Sequence, residues 1–407
     1  MKIHSDICII GNGVIGKACA LAMSHAGYEV ALLAPDSPHQ SHPITSQPFW
    51  DQRVYALNHV ARHLLSSLKV WNAMDSARIA LVDAMAVHGD DESRPGHLGF
   101  NAYGTRVGAL AWIVEDSNLN RALDSALSFA SRVKLIKGRA IQLTHTEHNL
   151  EVSLDSGATH TTSLIIGADG AHSWVRTQAD IGIDYRSYDQ RAVVANFSCT
   201  NPHHGVASQW FLGADGIVAL LPLPDQQVSL VWSAPDAFAT RLMAESAENL
   251  CERLSALPGQ TLGQFAILPP SLPKAFPLRL IRSHSLIADR IALMGDAAHV
   301  VHPLAGQGMN LGFADIDALV SVLGQSKTID CGDTRLLNRY ARRRAEDVLL
   351  MQLTTDGLHR LFTSELPPVK ALRNIGMRLV DKLPFLKNRL ARQALGHTFS
   401  SHPMESF

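Results

Sequence analysis

The chain begins with alternating apolar and glycine-containing segments that predict a strand, a helix and a second strand. Residues 6–10 form a short apolar run that glycine ends, which is typical of a buried parallel strand. Residues 17–25 then follow a helical pattern, with Gly27 placed to end the helix, and residues 28–33 predict the second strand. This order predicts a parallel β-α-β unit.

A different pattern runs through residues 181–279, where short apolar runs alternate with turns. Antiparallel strands are predicted there at residues 191–197, 206–212, 216–223 and 228–233. The glycines of residues 213–216 predict a hairpin turn between two of them. Trp210, Phe211 and Trp232 are candidates to line a pocket, although ordinary core packing is the better explanation for each one alone.

The C-terminal stretch, residues 331–407, has apolar residues near helical spacing and is predicted to be helical. Between residues 366 and 396 basic residues interleave with the apolar ones, a pattern typical of a segment that lies on an anionic membrane. Helices packed on the rest of the protein, with a solvated basic face, give the same pattern. Pro384 interrupts any single long helix.

The composition is that of a globular protein of about two domains. The 407 residues include 46% hydrophobic and 18% charged residues. The formal net charge of −1 argues against a nucleic-acid binder, whose phosphate contacts need a basic excess. This net charge is the sum of two opposite contributions. Residues 331–407 hold 13 basic and 7 acidic residues, a balance of +6, whereas residues 1–330 have a balance of −7.

The five cysteines are far apart and include no C-x-x-C pair, so neither a disulfide framework nor a zinc-cysteine site is predicted. The sequence shows no signal peptide, and no apolar run reaches the ~18 residues needed to span a bilayer. We therefore expect a cytoplasmic protein, attached at most to the inner membrane face.

The segment between the first strand and helix reads Gly-Asn-Gly-Val-Ile-Gly, which is the dinucleotide-binding fingerprint in its required context. Gly11 permits the tight turn, Gly13 lets the backbone approach a pyrophosphate, and Gly16 lets helix and strand pack closely. The helix N-terminus adds unpaired N–H groups and the positive end of the helix dipole. These three glycines are therefore candidate cofactor-binding residues.

One part of the fingerprint is missing. A carboxylate at the tip of the second strand normally binds the adenosine ribose, but Ala34 stands there. Asp36 is the candidate replacement, and ordered water is an alternative. An ordinary solvated loop residue explains Asp36 equally well.

Two later segments repeat the arrangement of a strand followed by a glycine-rich turn. Residues 164–176 read LIIGADGAHSWVR, and residues 290–312 read RIALMGDAAHVVHPLAGQGMNLG. A carboxylate at the carboxyl end of a strand can accept a hydrogen bond from a ribitol hydroxyl, and glycines leave room for a flat ring. The candidate residues are Asp169, Gly170, Gly295, Asp296, Gly306 and Gly308.

The three motifs, in this order, resemble those of the FAD-dependent aromatic hydroxylases related to p-hydroxybenzoate hydroxylase. A narrower resemblance, to the flavin monooxygenases of ubiquinone biosynthesis, extends nearly end to end. Residues 34–50 and 180–280 match least well and are expected to set substrate choice. The supporting segments are residues 51–57 (DQRVYAL), 113–116 (IVED, with Leu119), 219–223 (ALLPL), 339–350, 356–362 and 372–384.

The strand and helix signals, with this resemblance, predict an α/β protein. A doubly wound, Rossmann-like FAD-binding domain is assembled from discontinuous pieces, with an inserted antiparallel-sheet substrate domain and C-terminal helices. The FAD domain comprises residues 1–75, 105–180 and 280–330. The substrate domain comprises residues 76–104 and 181–279, and residues 331–407 form the helical region, for which a membrane-facing surface is one hypothesis.

The resemblance also implies roles for individual residues. Arg53 would sit near the FAD phosphates, which its guanidinium suits, unless it is an ordinary surface arginine. Asp169 and Gly170 match a motif that serves both FAD and the nicotinamide donor, and Asp296 would hold the ribitol chain. Gly11, Gly13 and Gly16 would cradle the pyrophosphate. The isoalloxazine ring would be lined by Pro303, Gly306, Gln307 and Gly308.

The implied function is hydroxylation of the aromatic ring of a polyprenylated phenol in ubiquinone biosynthesis. NADPH or NADH would reduce FAD, and O2 would react through a flavin C4a-hydroperoxide. This chemistry needs no side chain as catalytic base, so no catalytic residue is assigned. His299 and His302 have H-x-x-H spacing, but a third ligand and a glutamate are missing, so no metal site is predicted.

Two alternatives remain at this stage. One is another flavoenzyme, a soluble phenol hydroxylase of aromatic catabolism; a flavin halogenase is disfavoured because no W-x-W-x-I-P segment is present. The other is a non-catalytic flavin-binding subunit of a quinone-biosynthesis complex, which Ala34 keeps open. The expected partners are a polyprenyl phenol or quinone precursor, with a quinone-biosynthesis complex and a membrane surface as further hypotheses, and no nucleic acid.

Overall fold

The structure, a computed structural model, describes residues 2–35, 50–90, 96–268, 272–302, 306–325 and 330–363, with residues 373, 374, 376, 379 and 381. The strands in these ranges are β1 (Lys2–Ile10), β2 (Val30–Ala34), β3 (Val54–Leu57), β4 (Ile79–Val82), β5 (Ala84–His88), β6 (His97–Asn101), β7 (Ala111–Glu115), β8 (Val133–Lys137), β9 (Ala140–His145), β10 (Leu150–Leu154), β11 (Thr159–Gly167), β12 (Ile183–Cys199), β13 (Val206–Phe211), β14 (Ile217–Leu223), β15 (Gln227–Pro235), β16 (Phe265–Ile267), β17 (Lys274–Ser283), β18 (Ile287–Ala288), β19 (Ile291–Leu293) and β20 (His299–Val300). The helices are α1 (Val14–His25), α2 (His59–Ser67), α3 (Ala102–Thr105), α4 (Asp116–Ser128), α5 (Trp174–Gln178), α6 (Asp236–Ala244), α7 (Ala247–Ser255), α8 (Gln307–Gly324) and α9 (Thr334–Thr363).

The first sheet has a parallel core in the order β19-β11-β1-β2-β8, with β18 antiparallel at one edge. Side chains of β1 alternate between the two faces, so Ile7 and Ile9 pack against α1, α4, α8 and α9, whereas Cys8 and Ile10 pack against β9, β10 and α5. Both faces are therefore buried, which explains the continuous apolar run in the sequence. The predicted α/β, Rossmann-like fold is confirmed.

Helix α1 begins at Val14, earlier than the predicted start at residue 17. The reason is that Gly16, the last glycine of the fingerprint, lies inside the first turn of the helix rather than before it. The second predicted strand, residues 28–33, corresponds to β2. The predicted β-α-β unit is thus present.

The second sheet has nine strands in the order β20-β17-β12-β15-β14-β13-β5-β6, with β16 paired to β12. Its pairs are antiparallel except β13 with β5. The four predicted strands are present, but β12 is longer than predicted, and its register with β17 shifts between Ser187 and Arg191. The predicted turn between β13 and β14 is also present, with Gly213 and Gly216 at positive φ.

The tryptophans of this sheet belong to its hydrophobic core. Trp210 and Trp232 are 2% and 3% exposed. Their indole N–H groups donate to the carbonyl oxygens of Pro258 and Asp215, respectively. Phe211 is likewise buried. Core packing therefore accounts for all three aromatic residues.

A small third sheet, β3-β7-β4, shares buried core clusters with both larger sheets. Strands β3 and β7 carry two of the sequence segments that support the family resemblance, and they pair antiparallel from Val54 opposite Glu115 to Leu57 opposite Trp112. The next strand after β4 is β5, which already belongs to the second sheet. The two resemblance segments are therefore one structural unit.

Two of the described tail residues, Arg373 and Asn374, contact the loop between β5 and β6. Arg373 forms an ion pair with Asp90, and both side chains are buried. The Asn374 side-chain oxygen accepts a hydrogen bond from Gly96 N at 2.8 Å. Arg373 is one of the basic residues of the amphipathic pattern, and this ion pair removes it from any membrane-facing surface. In the described part of the chain, no helix has the length and hydropathy to cross a membrane.

Candidate cofactor site

A cavity of about 630 Å³ opens at the carboxyl ends of β1, β2 and β11. It brings together most of the candidate residues from the three glycine-containing motifs, which are separated in the sequence by more than a hundred residues. Asp36 and Pro303 lie outside the described residues, and Gly16, Gly306 and Gln307 are not among the residues that line the cavity. The candidates in the wall are Gly11, Gly13, Arg53, Asp169, Gly170, Gly295, Asp296 and Gly308.

The first motif forms a turn, and its three glycines differ in what a larger side chain would contact. Gly11 has φ +113°, and a Cβ there would lie 2.3 Å from the carbonyl oxygen of Ala168. A Cβ on Gly16 would lie 1.8 Å from the carbonyl oxygen of Gly11. A Cβ on Gly13 would meet no protein atom within 4 Å. Gly11 and Gly16 therefore serve the fold, whereas Gly13 keeps free the space in front of α1, which no side chain caps.

The tip of β2 carries no acid in the described part of the cavity wall. Ala34 and Pro35 stand there with Gly138 and Arg139. The Gly138 N–H donates to the carbonyl oxygen of Ala34 at 2.9 Å, so the end of β8 is fixed against this tip. Arg139 is exposed and is the charged group at this end of the cavity.

We predict that Ala34→Glu tightens FAD binding several-fold, because a carboxylate at the tip of β2 can accept hydrogen bonds from the ribose hydroxyls. The measurement is the FAD dissociation constant of the apoprotein, from flavin fluorescence. Ala34→Leu, which adds bulk without an acceptor, is the control and should give no gain. An unchanged affinity in the glutamate variant means that Asp36 or water already serves the ribose.

Arg53 immediately precedes β3 and points its charge into the cavity. Its backbone N–H donates to Asp51 Oδ1 at 3.0 Å, and its guanidinium lies 5.5 Å from the ring centre of Tyr55. Burial lowers the pKa of Arg53, but Tyr55, Asp116 and Asp296, among others, raise it more. The cavity thus holds a permanent cation suited to a pyrophosphate.

The residues that hold Arg53 in place carry no assigned role in the sequence prediction. The Tyr55 hydroxyl donates a short hydrogen bond to the Asp116 carboxylate, and Asp116 N donates to the carbonyl oxygen of Arg53 at 2.9 Å. Glu115 accepts from Asp51 N and forms two hydrogen bonds with the guanidinium of Arg78, each 2.6 Å long. Apart from Arg78, these residues lie in the two resemblance segments, and only that position pointed to them.

Asp169 lines the cavity but also has a structural role. Its carboxylate accepts from Ser173 Oγ at 2.5 Å and from Val175 N at 3.1 Å, which caps the short helix α5. Arg176 then donates to the carbonyl oxygens of Ala171 and Ala297. The second motif is therefore tied directly to the third, and Gly170, at φ +83°, remains open to the cavity.

The third motif presents Asp296 to the cavity from a turn that begins at Gly295. Desolvation in this recess raises the pKa of Asp296, against the opposing charges of His299, Arg53 and Arg279. Gly295 has φ +55°. Its N–H donates to the buried carboxylate of Asp315 on α8, a residue that the sequence analysis missed.

The start of α8 lies against β3. Gly306 has φ +65°, and a Cβ there would lie 3.2 Å from the Cβ of Ala56. The Asn310 side chain donates to the carbonyl oxygen of Ala56 and accepts from Asn58 N, at 2.9 and 3.0 Å. Gln307 is the first residue of α8, and in the described part of the chain no side-chain hydrogen bond is made at its N-cap residue, Gly306. The backbone at the N-terminus of α8 is thus available near Gly308, which lines the cavity.

The two histidines of the third motif have protein partners. His299 Nε2 lies 2.8 Å from Asp315 Oδ2, and His302 Nε2 lies 3.3 Å from Gln190 Oε1. Within the described ranges, no three His, Cys, Asp or Glu residues are grouped so that they could hold a metal ion.

The described residues fit FAD. The open space at Gly13, the cation Arg53 and the uncapped N-terminus of α1 suit a pyrophosphate, and the Asp296 carboxylate suits a polyol. The cavity volume of about 630 Å³ is in the usual range for cofactor sites.

Comparisons with known proteins agree with this chemistry. A family model described as FAD binding domain matches residues 4–351. The chain is 32% identical over 395 residues to the 3-demethoxyubiquinol 3-hydroxylase of Escherichia coli (strain K12), covering 96% of this chain and 98% of the relative. It is also 32% identical over 437 residues to the mitochondrial ubiquinone biosynthesis monooxygenase COQ6 of Drosophila melanogaster, covering 97% and 90%.

The fold has close counterparts among solved structures. PqsL, a probable FAD-dependent monooxygenase from Pseudomonas aeruginosa, superposes with a TM-score of 0.76 at 22% identity, covering 92% of this chain and 99% of that one. Because the identity is low, this match supports the fold alone. With the family match and the geometry of the cavity, it follows that the chain belongs to the FAD binding domain family and is an FAD-dependent aromatic monooxygenase.

Proposed function

We propose that the protein hydroxylates the aromatic ring of a polyprenylated phenol in ubiquinone biosynthesis, with NADPH or NADH as electron donor and O2 as co-substrate. The observation that carries this proposal is the 32% identity to the E. coli 3-demethoxyubiquinol 3-hydroxylase over 96% of this chain. That coverage includes the second sheet as well as the cofactor cavity. The alignment therefore spans the part of the chain expected to choose the substrate.

The residues of the cavity would bind and orient the cofactor. FAD, when bound, supplies the redox chemistry that activates O2. Arg53 and the N-terminus of α1 would neutralise the pyrophosphate, and Asp296 would accept hydrogen bonds from the ribitol chain. The N-terminus of α8 would offer backbone N–H groups and a positive dipole end to the flavin ring, which favours a negative charge there.

An apolar cluster beside the start of α8 supports an apolar aromatic substrate. Leu223 and Ala207 of the second sheet are buried in it, and Leu221, Val54 and Ala56 pack against them. Ala56 is also the residue that a Cβ on Gly306 would contact. If the substrate ring binds against the partly buried members of this cluster, they would exclude water from it, which protects reactive intermediates from hydrolysis.

We also propose that the protein meets its substrate at an anionic membrane surface. Residues 331–407 carry the +6 balance of charge, and α9 exposes several leucines. Leu349, Leu350 and Leu353 are 39%, 45% and 62% exposed. An apolar face within a basic region is the pattern of an interfacial helix.

One experiment tests both the reaction and the membrane surface. The purified holoenzyme is given a polyprenylated phenol in vesicles with anionic phospholipid, or a short-chain soluble analogue. We expect substrate-stimulated NAD(P)H oxidation and a hydroxylated product with both. Leu353→Glu should raise the apparent KM several-fold for the vesicle substrate alone, because the new charge opposes insertion of an apolar face.

The matched control is Leu135→Glu, since Leu135 on β8 is 61% exposed and lies outside α9. It should change neither KM. Equal KM values for wild type and Leu353→Glu would refute the membrane surface but leave the reaction intact. Turnover of simple soluble phenols without turnover of the polyprenylated one would instead assign the protein to phenol catabolism.

A further inference from the structure

A fully buried carboxylate on α8 is hydrogen-bonded to three residues, two in the turn of the third motif and one on α9. Asp315 Oδ2 accepts from Gly295 N at 2.9 Å and lies 2.8 Å from His299 Nε2. Asp315 Oδ1 accepts from Arg344 Nε at 2.7 Å. None of Asp315, His299 and Arg344 lines the cofactor cavity. The carboxylate therefore links α9 to the turn of the third motif from behind the cavity wall.

This arrangement holds the turn on both sides of Asp296. Gly295 precedes Asp296 and His299 follows it, and both are bonded to the same carboxylate. The Tyr340 hydroxyl of α9 also donates to the carbonyl oxygen of Leu293, at the end of β19, at 2.8 Å. Helix α9 thus fixes the strand and the turn that present Asp296, although it is remote from the glycine fingerprint in the sequence.

The charges make Arg344 necessary for this geometry. Burial raises the pKa of Asp315, but His299 and Arg344 lower it more, so Asp315 is an anion. A buried anion is stable only when it is paired, and Arg344 is itself buried, with 3% of its side chain exposed. Arg344 is oriented in turn by Asp347 Oδ2, which accepts from its Nη1 at 2.6 Å.

We propose that Arg344, Asp315 and His299 are positioning residues for Asp296, so that α9 determines the geometry of the ribitol half of the FAD site. The inference rests on the assignment of Asp296 to the ribitol chain. It implies that the two halves of the site depend on different parts of the protein. The atoms nearest to a Cβ on Gly11 or Gly16 of the pyrophosphate turn belong to that turn itself and to the second motif, not to α9.

The test is to replace Arg344 by methionine and to titrate the apoprotein with FAD and, separately, with ADP. We expect the FAD dissociation constant to rise about tenfold to a hundredfold, the cost of losing a hydrogen bond to a buried charge. The ADP dissociation constant should stay within about twofold of wild type, because ADP does not reach Asp296. A change confined to FAD separates positioning from a general loss of structure.

The matched control is Arg343→Met, which removes an exposed arginine on the same helix that donates to Ser321 Oγ. It should leave both affinities unchanged. Arg344→Lys keeps the buried charge, so it folds even if the methionine variant does not, and it should recover part of the FAD affinity. An equal loss of FAD and ADP binding in the lysine variant, or no loss in the methionine variant, would overturn the inference.

FAD and ADP titrations of Asp296→Ala test the assignment of Asp296 to the ribitol chain separately from the positioning role of α9. If Asp296→Ala lowers FAD affinity and Arg344→Met does not, Asp296 holds the ribitol chain and the positioning role of α9 is wrong. If Asp296→Ala leaves FAD affinity unchanged, the ribitol assignment itself fails, and the inference fails with it.

Discussion

Asp296→Ala is expected to yield a protein that loses its FAD during purification and is no longer yellow. The Asp296 carboxylate is the acidic group that the turn of the third motif presents to the cavity. Hydrogen bonds to a charged acceptor contribute about 1.5–3 kcal/mol, so their loss weakens binding by more than about tenfold. The measurement is the ratio of flavin to protein absorbance after gel filtration.

Asp296→Asn is the matched control, because it keeps the shape of the side chain and one acceptor oxygen while removing the charge. It should retain more FAD than the alanine variant. Flavin bands that survive purification of Asp296→Ala would show that the ribitol assignment is wrong.

Alanine at Gly16 and at Gly13 should separate folding from cofactor binding. At Gly16 the new Cβ would lie 1.8 Å from the carbonyl oxygen of Gly11, so the turn must shift. We expect Gly16→Ala to lower the free energy of unfolding of the apoprotein by about 2 kcal/mol or more and to abolish FAD binding.

Gly13→Ala should leave the apoprotein as stable as wild type, because its Cβ would meet no protein atom within 4 Å. It should nevertheless raise the FAD dissociation constant more than about tenfold, since the methyl group takes the space of the pyrophosphate. Denaturant unfolding of both apoproteins and FAD titration measure the two effects. Unchanged FAD affinity in Gly13→Ala would place the pyrophosphate elsewhere.

The parts of the site that could be predicted from the sequence depend on residues close together in the chain. Gly11, Gly13 and Gly16 belong to one turn, and Gly295 with Asp296 directly follows a strand, so their roles depend on neighbours in the chain. Because the carboxyl ends of parallel strands meet at one edge of a sheet, separate motifs of this kind assemble in one cavity.

The parts that the sequence analysis missed depend on contacts between distant segments. Tyr55 and Asp116 are 61 residues apart, and Asp315 and Arg344 are 29 residues apart on different helices. No periodicity or spacing relates such pairs before the helices and sheets pack. Likewise, the charge pattern of the tail could not show that Arg373 is paired with Asp90.

The contact between the tail and the second sheet has a consequence for solubility. In the described part of the chain, β6 ends the order of strands, and an end strand offers free N–H groups to which a strand of another molecule can add. The Asn374 and Asp381 side chains accept from Gly96 N and Gly99 N, respectively. The tail therefore occupies one N–H group of β6 and one directly before it, and we expect this contact to hinder edge-to-edge joining of the sheets of two molecules.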